Sequence, residues 1–297
     1  MILFCNDVLN PSAPDTAFAH EIAAAKNAAL SWQLVDYEKL VAGQTDGALR
    51  RVREHDVMQT AIYRGWMWRV EDYTRLYNAL QAKNISLINT PAQYEHCHHL
   101  PSSLAIIEKH TPRAVVISIG EISSTQTAEA VRSFGEKPLI VKDFVKSRKH
   151  DWHEACFISN AKDADEVERV TSRFIELQGE NLVGGLVLRE FMNFKSIGAH
   201  SQSAMPLTKE YRLFFFDGEL LCRFEYWNDG DYSSEAPPDD LFCDVARQVQ
   251  SRFFTMDVAQ REDNDEWMIV ELGDAQVSGL PRESDAVEFY EKLRAKL

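Results

Sequence analysis

The chain has 297 residues, of which 45% are hydrophobic and 26% charged, with a formal net charge of −14. That length supports one large or two medium domains with a real core, and the composition is ordinary for a globular protein. The acidic balance argues against a nucleic-acid partner, which needs a basic face, and no run of about 18 apolar residues offers a membrane span.

Residues 1–5 read as a first strand ending at Asn6-Asp7. Residues 16–30 are Ala-rich and helix-prone, with Asp15 or Thr16 as the cap. Residues 33–36 and 56–63 read as the next strands. Over residues 71–83, Tyr73, Leu76, Tyr77 and Leu80 fall on one helical face. Residues 85–88 form another strand, stopped at Asn89-Thr90-Pro91. Strands alternating with helices predict an α/β unit with a parallel sheet, ending near residue 90. From about residue 112 the pattern changes. Strands are expected at 114–119, 139–142, 186–191, 211–216 and 219–226, and helices at 123–134, 163–177, 239–252 and 284–297. Asp217-Gly218 is a tight hairpin turn. This half predicts α+β structure with antiparallel sheets. The N-terminus lacks a basic stretch and a cleavage site, so no secretory signal is expected. Five scattered cysteines (Cys5, Cys97, Cys156, Cys222, Cys243) fit a reducing cytoplasm better than a disulfide framework.

Residues 253–274 read as a β-hairpin, two β-prone runs around Asp263-Asn264-Asp265. With the turn centred on Asn264, facing positions have numbers that add to 528, so Asp257 lies opposite Glu271. Facing carboxylates repel, and a bound cation turns that cost into a site. Cross-strand Cβ atoms lie roughly 5 Å apart and Mg²⁺–O bonds are about 2.0–2.1 Å, so one or two ions fit. The plain alternative is an exposed acidic hairpin, and a two-residue turn would put the acids on opposite faces.

Three other segments carry chemistry. The strand at 139–142 ends in Lys142, followed by Lys146, Arg148 and Lys149, a local cationic cluster suited to polyphosphate; the alternative is a solvated loop. The strand running into Glu190 could offer its backbone to a purine edge and a carboxylate to ribose; taken alone, a plain core strand is the better reading. In Lys209–Gly218, strand alternation puts Glu210 and Arg212 on one face, where Arg212 could reach a phosphate oxygen or pair with Glu210. His96-Cys97-His98-His99 lacks metal-ligand spacing; a helix or loop with one histidine poised for substrate is the better reading. Trp66 and Trp68 read as core, and Arg64 beside Gly65 could present a guanidinium to a carboxylate. Neither a serine nucleophile elbow nor a Walker A motif is present.

In this order the segments resemble the ATP-grasp superfamily, over roughly residues 89 to 281. The resemblance to a divergent bacterial branch rests on Val-Lys-Asp-Phe-Val-Lys-Ser-Arg-Lys-His, Gly-Gly-Leu-Val-Leu-Arg-Glu-Phe, Glu-Tyr-Arg-Leu-Phe and Val-Glu-Leu-Gly-Asp-Ala-Gln-Val-Ser-Gly-Leu-Pro. It implies an ATP-grasp fold, α/β and α+β: an N-terminal α/β domain (1–90) and two α+β subdomains (91–185 and 186–297) clasping Mg–ATP. Lys142 would contact the ATP phosphates, and Lys146, Ser147, Arg148 and Lys149 would cover them. Leu188, Arg189 and Glu190 would form the adenine and ribose edge, with Glu210 also on the cofactor. Arg212 would stabilise the transferring phosphoryl group, sharing the catalytic role with Lys142. Asp257 and Glu271 would hold Mg²⁺. Two departures stand out: the phosphate loop is rich in Lys and Arg instead of glycine, and Gly273 replaces the usual metal-binding Asn, a role Asp274 would take. Lys109 is a candidate for the family's other ATP lysine.

The implied reaction is ATP-dependent ligation of a carboxylate to an amine through an acylphosphate, with small-molecule or peptide substrates. Arg64 and Arg223 are assigned to the substrate carboxylate. The expected setting is cytoplasmic, and a homodimer is compatible with the reading. The alternatives are a phosphotransferase or modifier of a protein or RNA end, and a non-catalytic nucleotide-binding module.

Overall fold

The computed structural model describes residues 1–199, 206–233 and 235–297. The chain divides into two compact units: residues 1–97, 196–258 and 271–297 form the first, and 98–195 with 259–270 the second. The N-terminal and C-terminal segments, which the sequence reading separates, thus belong to one unit. The chain leaves the first unit after residue 97, returns to it after 195, and visits the second again over 259–270.

In the first unit, β1 (Ile2–Cys5), β2 (Trp32–Val35), β3 (Gln59–Arg64) and β4 (Ile85–Leu87) form a parallel sheet in the order β2-β1-β3-β4. Its central strand β1 is apolar and buried on both faces, as a sheet covered on both sides requires. Ile2 and Phe4 pack with Ile22 and Ala25 of the Ala19–Asn27 helix and with Phe289 and Tyr290 of the Asp285–Lys296 helix. Leu3 and Cys5 face the other cluster, where the Val70–Gln81 helix inserts Tyr73, Leu76 and Leu80, all fully buried. Burial of such side chains stabilises by about 1.5–3 kcal/mol each.

The second unit is built on β5 (Ala114–Ser118), β6 (Leu139–Lys142), β7 (Phe157–Ile158) and β8 (Gly185–Glu190), antiparallel in the order β5-β8-β6-β7. The Ala164–Gln178 helix covers it with Val167, Val170 and Phe174. Asp163 caps that helix by accepting the Glu166 amide at 3.0 Å.

The chain then re-enters the first unit through a short ribbon, β9 (Ser196–Ala199) with β10 (Pro206–Thr208). There β11 (Glu210–Phe216), β12 (Glu219–Glu225), β13 (Phe253–Gln260) and β14 (Trp267–Asp274) make a sheet in the order β12-β11-β13-β14. The β11–β12 turn is the expected Asp217-Gly218, both residues at positive φ. The root of the β13–β14 hairpin belongs to the first unit and its tip to the second.

Two expectations change. The helix expected at 239–252 stops at Ala246. Trp68 is core at 1% exposure, but Trp66 is 47% exposed and donates its indole N–H to Asp15 at 2.8 Å. Among the described residues no helix is long and apolar enough to cross a membrane.

Candidate functional site

The hairpin root brings the expected acids together. The Ala275 amide donates to the Phe253 carbonyl at 3.2 Å, and the Thr255 hydroxyl donates to the Gly273 carbonyl at 3.4 Å. The backbone pair at the root has the register in which Asp257 stands opposite Glu271, whereas nearer the turn the Arg261 amide donates to the Glu266 carbonyl at 2.8 Å, one residue off that register. From β11, Arg212 reaches the same face. Its Nε and Nη2 donate to the two oxygens of Asp257 at 2.8 and 2.7 Å, and Nη1 donates to the Gly279 carbonyl at 2.9 Å. The guanidinium also lies over the Tyr226 ring, 4.9 Å from its centroid. Burial alone would lower the Arg212 pKa; the charge of Asp257, its hydrogen bonds and, further down, the charge of Glu271 raise it above its ordinary value. Two carboxylates thus share the field of one guanidinium.

These residues fit a hard divalent cation. Mg²⁺ is usually held by one or two carboxylates together with substrate phosphates and waters. Arg212 binds both oxygens of Asp257, and a carboxylate offers about four lone-pair directions, so a guanidinium and a cation are both chemically compatible partners of such a group. Asp274 does not join them. It alternates to the opposite face of β14, is fully buried, and accepts from Asn89 Nδ2 at 2.6 Å and from the Gln276 amide at 2.9 Å. Burial pushes its pKa up to about 7 against these hydrogen bonds. The expectation that Asp274 replaces the missing Asn is therefore corrected: strand periodicity points it into the core. Among the described residues, no three His, Cys, Asp or Glu side chains gather as a metal set.

The second unit carries the cationic segment. Lys142 ends β6, 6% exposed, and pairs across the turn with Ser147. Lys146 and Lys149 are exposed on the loop that follows. Arg148, expected to cover phosphates, instead donates to Asp151 at 2.8 Å and to the Gln178 side chain at 3.2 Å. His98 lies in the same unit; burial foremost, then the charges of His99, Lys146 and Lys142, pushes its pKa down to about 3. It is a neutral imidazole in the field of the two lysines. His96 is likewise buried, and Lys109 falls in the Glu108–His110 turn of 3₁₀ helix.

The adenine edge expected at Leu188, Arg189 and Glu190 also needs correction. β8 is a central strand, paired with β5 and β6, and the ladder takes up its backbone. The Arg189 side chain donates to the Val270 carbonyl and to Thr111 Oγ1, both at 2.6 Å. Glu190 accepts from Lys137 at 2.6 Å. No composition signal separates an edge strand from a central one here, since both read as Val/Leu-rich runs.

The two arginines assigned to a substrate carboxylate have other partners. Arg64 is 1% exposed and donates twice to Glu21 at 2.8 Å, to the Ser278 carbonyl at 2.7 Å and to the Ala275 carbonyl. It is a core brace. Arg223 stands opposite Leu213 in the β11–β12 register, on the face away from Arg212, and pairs with Asp239 at 2.6 Å. Glu210 accepts the Thr208 hydroxyl at 3.1 Å, and its carbonyl accepts the Tyr232 hydroxyl at 2.9 Å. Sequence reasoning missed Asp143, which organises the cationic loop, and Tyr226, which backs Arg212. An Asp just before a turn is a readable Asx-turn signal; Tyr226, a position past the end of β12, carries none.

Comparison with known proteins agrees with this architecture. A crystal structure of a RimK domain protein ATP-grasp from Sphaerobacter thermophilus is similar over 99% of this chain and 97% of its own, with a TM-score of 0.64 at 13% identity. The ATP-grasp ligase PsnB, complexed with minimal precursor, Mg and ADP, matches over 99% and 96% at a TM-score of 0.57 and 13% identity. D-alanine–D-alanine ligase from Bacillus anthracis, complexed with ATP, matches over 98% and 93% at a TM-score of 0.58 and 13% identity. Identities this low speak to the fold. No curated protein matches the sequence. A family model of the ATP-grasp domain, family 3 of its clade, matches residues 133–293, more than half of the chain. The chain therefore belongs to the ATP-grasp family.

Proposed function

We propose that this chain is an ATP- and Mg²⁺-dependent ligase that joins a carboxylate to an amine through an acylphosphate. The observation that carries the reading is the set at the hairpin root: two facing carboxylates, Asp257 and Glu271, with the guanidinium of Arg212 held on the same face. Asp257 and Glu271 would hold Mg²⁺, which when bound neutralises polyphosphate charge. Arg212, fixed by Asp257 and Tyr226, would present positive charge to the transferring phosphoryl group without reorganising. Lys142, Lys146, Ser147 and Lys149 would bind the phosphates.

A carboxylate oxygen of a small molecule or peptide attacks the γ-phosphorus, and ADP departs. The amine nitrogen then attacks the acylphosphate carbonyl, phosphate departs, and the nitrogen loses a proton. The PsnB and D-alanine–D-alanine ligase relatives support the ligase class by analogy of fold. Neither residue first assigned to the substrate carboxylate is retained: Arg64 is buried against Glu21, and Arg223 lies on the face away from Arg212 and pairs with Asp239.

The test is hydroxylamine trapping during a screen of amino acids and peptides. The proposal expects ADP release that depends on a carboxylate and yields a hydroxamate; carboxylate-dependent ADP release with a stable phosphorylated product and no hydroxamate would point to a phosphotransferase. A module that binds nucleotide without turnover is the second reading. It is favoured by the engagement of both Asp257 oxygens by Arg212, and Mg–ATP binding without ADP release under any substrate would select it.

A further inference from the structure

The cationic loop after β6 lacks the glycines that would let it move, and its backbone is already bonded. The Asp143 amide donates to the Lys146 carbonyl at 2.9 Å, closing a turn. Asp143 Oδ1 accepts the Val145 and Lys146 amides at 2.7 and 2.6 Å. Asp143 is 1% exposed. Phe144 packs so closely on Gly184 that a Cβ there would lie 2.1 Å from its ring.

Both ends of the loop meet at one residue outside it. Gln178, the last residue of the Ala164–Gln178 helix, donates Nε2 to Asp143 Oδ2 at 2.8 Å and accepts Arg148 Nη1 on Oε1 at 3.2 Å. An amide suits this place because it offers a donor and an acceptor on one rigid fork. Arg148 also donates to the Leu177 carbonyl at 3.3 Å, so the C-terminal end of the helix anchors the basic end of the loop.

We infer that Gln178 and Asp143 are positioning residues that hold a preformed phosphate cradle, so that Lys142, Lys146 and Lys149 meet the nucleotide without a loop closing over it. This rests on the proposed nucleotide role of the loop and adds that the loop is fixed before the nucleotide arrives. The entropy of ordering it has been met in folding, and binding does not incur that cost again.

The experiment measures amide hydrogen exchange over residues 143–149, with and without the Mg²⁺ complex of a non-hydrolysable ATP analogue, in the wild type and in Gln178→Ala. The wild-type loop is expected to be protected without nucleotide and to change little on binding. Gln178→Ala removes two hydrogen bonds at a half-buried helix end, which leaves the core intact. It is expected to speed exchange across the loop and to raise the ATP KM about tenfold while kcat stays within about twofold. Gln178→Glu, which keeps the bond to Arg148 and repels Asp143, is expected to fall short of rescue. A wild-type loop that exchanges freely until nucleotide binds would overturn the inference, as would an unchanged loop in Gln178→Ala. If the wild type binds no nucleotide, the proposed function fails, while the exchange of the free loop still decides the clamp.

Discussion

Arg64 and Arg212 of the first unit each grip one carboxylate with two hydrogen bonds, the first fully buried and the second 13% exposed at its side chain, and only Arg212 belongs to a candidate site. Arg64 and Glu21 are 1% and 2% exposed, and the remaining capacity of each is taken: Arg64 by two backbone carbonyls, Glu21 by the Tyr290 hydroxyl at 2.7 Å. Positive and negative charge balance there. Arg212 and Asp257 have the same fork geometry, but Glu271 faces them and adds a carboxylate. A buried ion pair alone is weak evidence of function, because desolvation consumes most of its Coulomb energy. What distinguishes the second pair is that added carboxylate acting on the same guanidinium, the type of oxygen donor that a divalent cation takes.

The largest effect that sharpens this contrast is expected at the balanced pair. Glu21→Ala leaves the Arg64 guanidinium uncompensated and should cost about 3–5 kcal/mol of stability in denaturant unfolding. Mg²⁺ should restore none of it. Arg212→Met should lower turnover about 100-fold or more, by loss of a preorganised cation. It should also make thermal stability more dependent on Mg²⁺ than in the wild type, since the two facing carboxylates then lose that guanidinium. Equal Mg²⁺ dependence in both proteins would break the comparison. Lys142→Ala, in the second unit, should weaken ATP binding by about 1.5–3 kcal/mol, the worth of a charged hydrogen bond, and unchanged affinity in calorimetry would remove it from the site. The smallest effect concerns Asp274. Its folded-state pKa of about 7 lies above the unfolded value, so the folded protein holds the extra proton and stability falls as pH rises through 7. Between pH 6 and 8 the loss is about 1.4 kcal/mol for one proton titrating across that window. Asp274→Asn should flatten that stretch of the unfolding-against-pH curve.

Much of the architecture was legible because it follows from short-range chemistry. The apolar run at the start of the chain, the face of Tyr73, Leu76 and Leu80, and the Asp217-Gly218 turn all depend on neighbours within a few residues, and the structure reproduces them. The two strands of the β13–β14 hairpin were legible as β-prone runs, but its turn closes with the Arg261 amide on the Glu266 carbonyl, one residue off the register drawn from Asn264. Partners distant in sequence were not legible. Glu21 meets Arg64 across 43 residues, Asp257 meets Arg212 across 45, and Asn89 meets Asp274 across 185. A guanidinium beside a glycine looks the same in sequence whether it faces a ligand or a buried glutamate. The residues of β8 alone read as a core strand, which the structure bears out, and only the resemblance assigned them to an adenine edge.

The most direct test of the Asp257–Glu271 site is calorimetric titration of Mg–ATP into the wild type and into Asp257→Asn with Glu271→Gln, each with and without Mg²⁺. The account predicts binding that depends on Mg²⁺ in the wild type and loses that dependence in the double variant, with the fold retained. A double variant that keeps Mg²⁺-dependent binding at wild-type affinity would contradict it.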